Sequence, residues 1–237
     1  MPLRSGPVPS RTDVVVPVKP LHAAKSRLRG AADRGIGDPQ AHARLALSLA
    51  LDTVAAARAA SRVGEIVVVT SDPEVSAGVT ALGAYVLADE PAAGLNAALR
   101  HGAEWHRRRR RIKNLAAAGV AALQADLAAL RPDELDAALA AAQSLFAAGS
   151  ATRVFCADAH GDGTTLLVAA VGVALDPRFG RGSADAHRES GAAALTGAWP
   201  GLRLDVDTEA DLREAETAGI GPRTGRLLAP DRGSRPA

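Results

Sequence analysis

The chain has 237 residues with 28 basic and 26 acidic side chains. The net charge of +2 gives no sustained positive potential for binding nucleic acid. A chain of this length can bury a core without a metal, and its single cysteine, Cys156, excludes an intramolecular disulfide. Residues 1–11 contain no apolar h-region and no stretch approaches 18 uninterrupted apolar residues, so the sequence predicts neither export nor membrane spanning and we expect a cytoplasmic protein.

The two ends of the chain differ from its middle in composition. Residues 1–12 and 222–237 are rich in proline, glycine, arginine and serine, with little to bury. We expect both ends to be disordered tails, since such segments cannot offset the entropy lost on folding. Residues 13–221 are then predicted to form a single domain.

Short apolar, β-branched runs alternate with Ala/Leu-rich segments of helical period in this domain. The predicted strands are 14–18, 65–70, 85–88, 120–125, 153–156, 165–171 and 202–206. The clearest predicted helices are 41–60, 132–146, 184–195 and one that begins at an N-cap Thr208. The alternation predicts an α/β fold with a mostly parallel sheet and helices on both faces.

The loop after the first predicted strand is rich in positive charge. It contains Lys19, Lys25 and Arg27, although the chain has only one further lysine, Lys113. Loops at the carboxyl ends of strands bind ligands in α/β sheets, and a compact ammonium group suits a triphosphate. The glycines of a Walker A loop are missing, so the alternatives are point-charge binding of phosphates and a solvated basic loop.

Three aspartates follow predicted strands. Asp126 comes directly after strand 120–125, while Asp205 and Asp207 lie two positions apart at the end of strand 202–206, where they are expected to share a face. Carboxylate oxygens are ligands that Mg²⁺ prefers, so the three predict a metal and triphosphate site. The alternative is that Asp126 and Asp207 only begin the helices that follow them.

Two glycine-containing loops form a further candidate. They are GDGTT at 161–165 and FGRGS at 179–183, the second leading into predicted helix 184–195. Free N–H groups and the helix dipole at such an end bind anions, and Arg181 would strengthen the site. The alternative is an ordinary loop in which Ser183 is the N-cap.

Other features predict structure rather than chemistry. The arginine run 107–111 resembles a nucleic-acid patch, but the chain contains few aromatic side chains for base stacking, which favours a solvated helix end or an enlarged loop. Ser183, Asp185 and His187 alternate along a predicted helix, so they point apart and do not predict a catalytic triad. Cys156 lies within an apolar strand and is interpreted as a core residue.

Six segments between Val14 and Ala215 together resemble one protein family. They are PVKPLHAAKSRL, GLNAAL, ALQADL, GDGTTLL, FGRGSADAH and LDVDTEADL. The resemblance is to the guanylyltransferases of coenzyme F420 biosynthesis, which use phosphoenolpyruvate or 2-phospho-L-lactate and are related to molybdenum-cofactor guanylyltransferase. It implies a Rossmann-like, nucleotide-diphospho-sugar transferase-like fold.

The resemblance also implies a reaction, in which GMP is transferred from GTP to the phosphate of phosphoenolpyruvate. Acceptors left open are 2-phospho-L-lactate and 3-phosphoglycerate, and from another class the chain could be a non-catalytic nucleotide-binding protein. The implied partners are GTP and a small phosphorylated three-carbon acid, with no nucleic acid or membrane, and the oligomeric state is left open. The implied residues are Asp126, Asp205 and Asp207 for Mg²⁺, Lys19, Lys25, Gly94 and Asn96 for the nucleotide, Thr165, Gly180 and Ser183 for the acceptor, and Lys25, Asp126 and Asp207 for catalysis.

Overall fold

The run of valines in the first strand is buried on both sides of the sheet. Val14 and Val16 pack in one hydrophobic cluster and Val15 in another, because successive side chains of a strand point to opposite faces. Helices cover both faces, as the continuous apolar strand predicts. The computed structural model describes residues 11–23, 28–33, 35–90 and 92–229.

Within these ranges, seven strands form one sheet with the order β3-β2-β1-β4-β6-β5-β7. The strands are β1 (Thr12–Pro17), β2 (Val63–Val69), β3 (Tyr85–Leu87), β4 (Gly119–Leu123), β5 (Arg153–Ala157), β6 (Thr164–Ala169) and β7 (Ala193–Ala194). Strand β6 pairs antiparallel with β4 and β5, and the other neighbouring pairs are parallel. The predicted α/β class and mostly parallel sheet are confirmed.

The helices have starts that their sequences explain. They are α1 (Pro39–Ala59), α2 (Pro73–Ala81), α3 (Leu95–Ile112), α4 (Pro132–Ala147), α5 (Ser183–Glu189), α6 (Pro200–Arg203), α7 (Glu209–Ala218) and α8 (Pro222–Leu228), and a 3-10 turn spans Leu21–Ala23. Asp38 and Asp72 accept hydrogen bonds from the first turns of α1 and α2, and Thr208 forms a capping box with Asp211 at α7. Among the helices of the described ranges, none is both long and apolar enough to cross a membrane.

Two predicted elements are wrong. The predicted strand 202–206 is not a strand, because Pro200–Arg203 forms a helical turn whose Gly201 and Leu202 N–H groups donate to the buried carboxylate of Glu134. The predicted helix 184–195 ends at Glu189, and the chain then turns at Gly191, whose φ is +87°, into β7.

Each predicted tail includes residues that form regular structure, at the end of the first tail and at the start of the second. Thr12 is the first residue of β1, and its partner is Val63. Residues 222–228 form α8, because the buried carboxylate of Asp52 accepts from the backbone N–H groups of Arg223 and Thr224 and from the Thr224 hydroxyl. The rest of the two predicted tails, residues 1–10 and 230–237, lies outside the described residues.

The arginine run is the end of a helix, and the enlarged loop predicted there is wrong. Residues 107–111 form the last turns of α3. Arg109 pairs with Glu65 at 2.9 Å, and Arg110 forms two hydrogen bonds with the carboxylate of Asp13. Part of the run therefore fastens α3 to the amino ends of β1 and β2.

Candidate active site

A pocket of about 670 Å³ lies where β1 and β4 end and α3 begins. This is the edge at which parallel α/β sheets bind ligands. Apolar side chains such as Leu49 and Ala98 form part of its wall. The sequence-predicted residues that line it are Lys19, Gly94, Asp126 and Asp207.

The three predicted aspartates meet at this edge. One carboxylate oxygen from each of Asp126, Asp205 and Asp207 lies within 4.8 Å of the others, with Asp126 and Asp205 half-buried and Asp207 exposed. A backbone hydrogen bond of 3.1 Å from the N–H of Val206 to the carbonyl of Asp126 joins the two segments. The three carboxylates therefore come together although the predicted strand 202–206 does not form.

The alternative roles of these aspartates as helix caps do not hold. Helix α7 is capped by Thr208 and Asp211, and the residue before α4 is Arg131. A cluster of three carboxylates is the donor set that suits a hard divalent cation, since close like charges repel without one. The residues present therefore fit a metal ion.

Lys19 is an exposed side chain on the loop after β1. Lys19 is held from both sides along the chain, since Val18 N–H donates to the carbonyl of Val69 and Leu21 N–H donates to the carboxylate of Asp72. The positive charge is thereby kept at the pocket that Asp126 and Asp207 also line. Lys25 lies outside the described residues.

The amino end of α3 forms another side of the pocket. Gly94 precedes the helix with a φ of +95°, which an L side chain adopts only with strain. The first turn, LNAA, carries no acid, so no side chain of that turn neutralises the positive end of the helix dipole. The side-chain amide of Asn96, by contrast, forms hydrogen bonds with the backbone carbonyl and N–H of Phe179.

The predicted acceptor residues lie beside the pocket rather than in its lining. Thr165 is buried on β6 next to the pocket wall, since its carbonyl accepts from the N–H of Gln124. Ser183 is buried as the first residue of α5, and Gly180 is exposed with a φ of +141°. Gly182, not Ser183, is the N-cap of α5.

The free N–H groups predicted at α5 are already used. The N–H groups of Gly182 and Ala184 donate to the carboxylate and carbonyl of Asp162, and Ser183 N–H donates to the carbonyl of Gly180. These three N–H groups therefore have partners in the structure, and the anion site at α5 stays a prediction.

Two buried groups near these loops are structural. Burial lowers the pKa of His187 to about 4, so the ring is neutral. Its Nε2 accepts from Arg178 N–H and its Nδ1 lies 2.9 Å from the Thr164 hydroxyl, which leaves no nitrogen for a triad. Burial also raises the pKa of Cys156, which is a core residue as predicted.

Sequence reasoning missed two polar residues that line the pocket. They are Asp89, which follows β3, and Gln124, which follows β4. Both come just after strands whose carboxyl ends face the pocket, and the rule that drew attention to Asp126 would also have found them.

Curated relatives match nearly the whole chain. The chain is 53% identical to the phosphoenolpyruvate guanylyltransferase of Geodermatophilus obscurus, over 91% of this chain and 93% of the relative. The phosphoenolpyruvate guanylyltransferases of Salinispora arenicola and Streptomyces coelicolor are 52% and 49% identical, over 90% and 91% of this chain and 92% and 95% of the relatives. No protein-family model matches the chain.

Solved structures share its fold. A nucleotidyl transferase from Methanothermobacter matches with a TM-score of 0.52 at 15% identity, over 88% of this chain and 97% of that one. A cytidylyltransferase from Leptospira borgpetersenii matches with a TM-score of 0.51 at 11% identity, over 92% of each chain. By its curated relatives, the chain belongs to the phosphoenolpyruvate guanylyltransferase family and is a nucleotidyltransferase.

Proposed function

We propose that this chain transfers GMP from GTP to the phosphate of phosphoenolpyruvate and releases pyrophosphate, as a step in coenzyme F420 biosynthesis. The activity for which the relatives are named supports the acceptor and the guanylyl group. The observation that carries the proposal is the meeting of Asp126, Asp205 and Asp207, of which Asp126 and Asp207 line one pocket together with Lys19. Nucleotidyl transfer needs such a combination, because two anionic substrates must be brought together.

The proposed reaction is a displacement at the α-phosphorus of GTP. An oxygen of the acceptor phosphate forms a bond to the α-phosphorus. The bond between the α-phosphorus and the oxygen that bridges it to the β-phosphate breaks. The electron pair leaves with pyrophosphate, so charge and atoms balance. An ionised phosphate is already a nucleophile, and the chain therefore needs to supply position and charge rather than a general base.

The three aspartates would hold Mg²⁺. When bound, the ion would neutralise charge on the triphosphate and the leaving pyrophosphate. Lys19, and by the family resemblance Lys25, would bind the phosphates as point charges. Gly94 would let the backbone approach the nucleotide at the positive end of α3.

Thr165 and Ser183 would bind the acceptor through their hydroxyl groups, and Gly180 would let the loop approach it. Hydroxyl donors suit both the phosphate and the carboxylate of a phospho-acid. The acceptor side is thus built from β6 and the loop before α5, and the nucleotide side from β1, β4 and α3.

The test is a panel of substrates. The protein with Mg²⁺ is offered GTP, ATP or CTP with phosphoenolpyruvate, 2-phospho-L-lactate or 3-phosphoglycerate, and products are identified by mass. We expect enolpyruvyl-diphospho-guanosine and pyrophosphate from GTP and phosphoenolpyruvate above all other pairs. Preference for another acceptor or nucleotide would replace that part of the proposal, and no product from any pair would refute it.

A further inference from the structure

The side chain of Asn96 connects two parts of the molecule that are far apart in sequence. Its Nδ2 donates to the carbonyl of Phe179 at 2.9 Å, and its Oδ1 accepts from the N–H of the same residue at 2.8 Å. Both halves of one side-chain amide are therefore bound to both backbone groups of one residue. Such a pair fixes position as well as distance, because each bond restricts the rotation that the other allows.

Phe179 lies within the loop 178–183, which bears Gly180 and Ser183. This loop has two glycines at positive φ, Gly180 and Gly182, so its own backbone torsions are weakly restricted. Its start is fixed from a second side, since Arg178 N–H donates to the Nε2 of His187 at 2.9 Å. The loop therefore depends on external anchors for its place.

The other end of the connection is the pocket. Asn96 is the second residue of α3, and the two residues before it, Gly94 and Leu95, line the pocket. If the amide turned toward a nucleoside, the N–H and carbonyl of Phe179 would each lose this partner. An amide already engaged at both ends is thus a poor candidate for reading a base.

We infer that Asn96 is a positioning residue that sets the acceptor loop, 178–183, against the nucleotide pocket. The inference rests on the proposed function, because Gly180 and Ser183 are assigned to the acceptor there. Asn96 acts through Phe179 and does not touch the reacting groups. It determines where the acceptor phosphate stands relative to the nucleotide held at the end of α3.

The first test is Asn96→Ala measured without substrates. Loss of the two hydrogen bonds is expected to speed amide hydrogen exchange in peptides covering 178–183 by about tenfold. This factor corresponds to a loss of about 1.4 kcal/mol in the free energy that holds the loop closed. The matched control is Gln143→Ala, which removes another side-chain amide that accepts from Arg62 at 2.8 Å on α4. The control should leave exchange in 178–183 unchanged.

The second test separates the two substrates. Asn96→Ala should raise the KM for phosphoenolpyruvate about tenfold and leave the KM for GTP within about twofold, since the bonds hold the acceptor side. Asn96→Asp keeps the acceptor for Phe179 N–H and should fall between wild type and Asn96→Ala. If Asn96→Ala does not fold, the same split in Asn96→Asp carries the test.

Several outcomes would overturn the inference. A rise in the KM for GTP alone would make Asn96 a nucleotide ligand, and faster exchange with no change in either KM would leave it a purely structural link. Failure of the wild type to use phosphoenolpyruvate would refute the proposed function instead. The exchange experiment would then still decide whether Asn96 holds the loop, because it needs no substrate.

Discussion

Charged side chains are arranged differently at the amino and carboxyl edges of the sheet. At the amino edge, the buried carboxylate of Asp13 is matched by Arg110, and Glu65 is matched by Arg109. At the carboxyl edge, three carboxylates are brought within 4.8 Å of one another. Pairing opposite charges stabilises a fold, whereas three carboxylates in one place are the donor set that suits a hard divalent cation, so we expect binding at the carboxyl edge.

The amino edge is a connected network. Asp13 also accepts from Glu65 N–H at 2.9 Å, and Arg109 reaches the hydroxyl of Tyr85. His106 is buried beside it, and that burial lowers the pKa of its ring. Helix α3 also packs closely against β1, since a Cβ on Gly102 would lie 2.4 Å from a methyl group of Val15.

The largest expected effect concerns the carboxyl edge. Asp207→Asn should lower kcat in Mg²⁺ by about 10³-fold, because a metal ligand is lost, while the fold remains. In metal-free buffer the variant should unfold at the same or a higher temperature, since a like charge has been removed. Glu209→Gln, an exposed neighbour on α7, is the control and should keep wild-type kcat. Wild-type turnover in Asp207→Asn would refute the metal site.

The second effect concerns the amino edge and should appear in stability instead. Arg110→Ala leaves the carboxylate of Asp13 buried without its main partner, which should cost about 3 kcal/mol of unfolding free energy in urea. The kcat of the folded protein should change by less than about twofold. The control, Arg108→Ala, removes an exposed arginine two residues before Arg110 on α3 and should cost less than about 0.5 kcal/mol of unfolding free energy. Equal losses in both variants would mean that the network does not stabilise α3.

A smaller effect is expected at the acceptor loop. Ser183→Ala should raise the KM for phosphoenolpyruvate about tenfold and leave the KM for GTP unchanged, because only a hydroxyl donor is removed. Ser144→Ala, which removes an exposed hydroxyl on α4, is the control. The opposite pattern of KM changes would show that the loop serves the nucleotide.

The smallest effect is the dependence of stability on pH that His187 contributes. Its pKa is about 4 in the folded chain and 6.5 in the unfolded chain, so the unfolded chain binds the extra proton between these values. The contribution of this neutral ring is complete above pH 6.5 and is lost as the pH falls toward 4. His187→Gln should therefore show a smaller fall in melting temperature between these pH values in scanning calorimetry. An unchanged slope would contradict the burial of a neutral ring.

Much of the fold could be predicted because the pattern is local. Six of the predicted strands lie within two residues of strands in the structure, from β1 to β6. The failures needed information from distant residues. Glu134 stabilises a helical turn at Pro200–Arg203 from α4, and Asp52 fixes α8 from α1, and neither contact is visible in the local sequence.

The site was predictable in its residue types but not in its connections. The rule that strand ends face a crevice placed Lys19 and Asp126 at the pocket. The link from Asn96 to Phe179 spans 83 residues, and Asp162 takes up the N–H groups at α5 from a separate loop. Such pairings depend on the packed fold and not on spacing along the chain.

The measurement that tests the central claim most directly is the fate of labelled GTP. The protein is given Mg²⁺, phosphoenolpyruvate and GTP labelled at either the α- or the γ-phosphorus, beside Asp207→Asn. We expect that α-label enters the product with phosphoenolpyruvate, that γ-label leaves as pyrophosphate in equal amount, and that Asp207→Asn does both about 10³-fold more slowly. Release of γ-label as inorganic phosphate, or α-label found in GDP, would contradict guanylyl transfer.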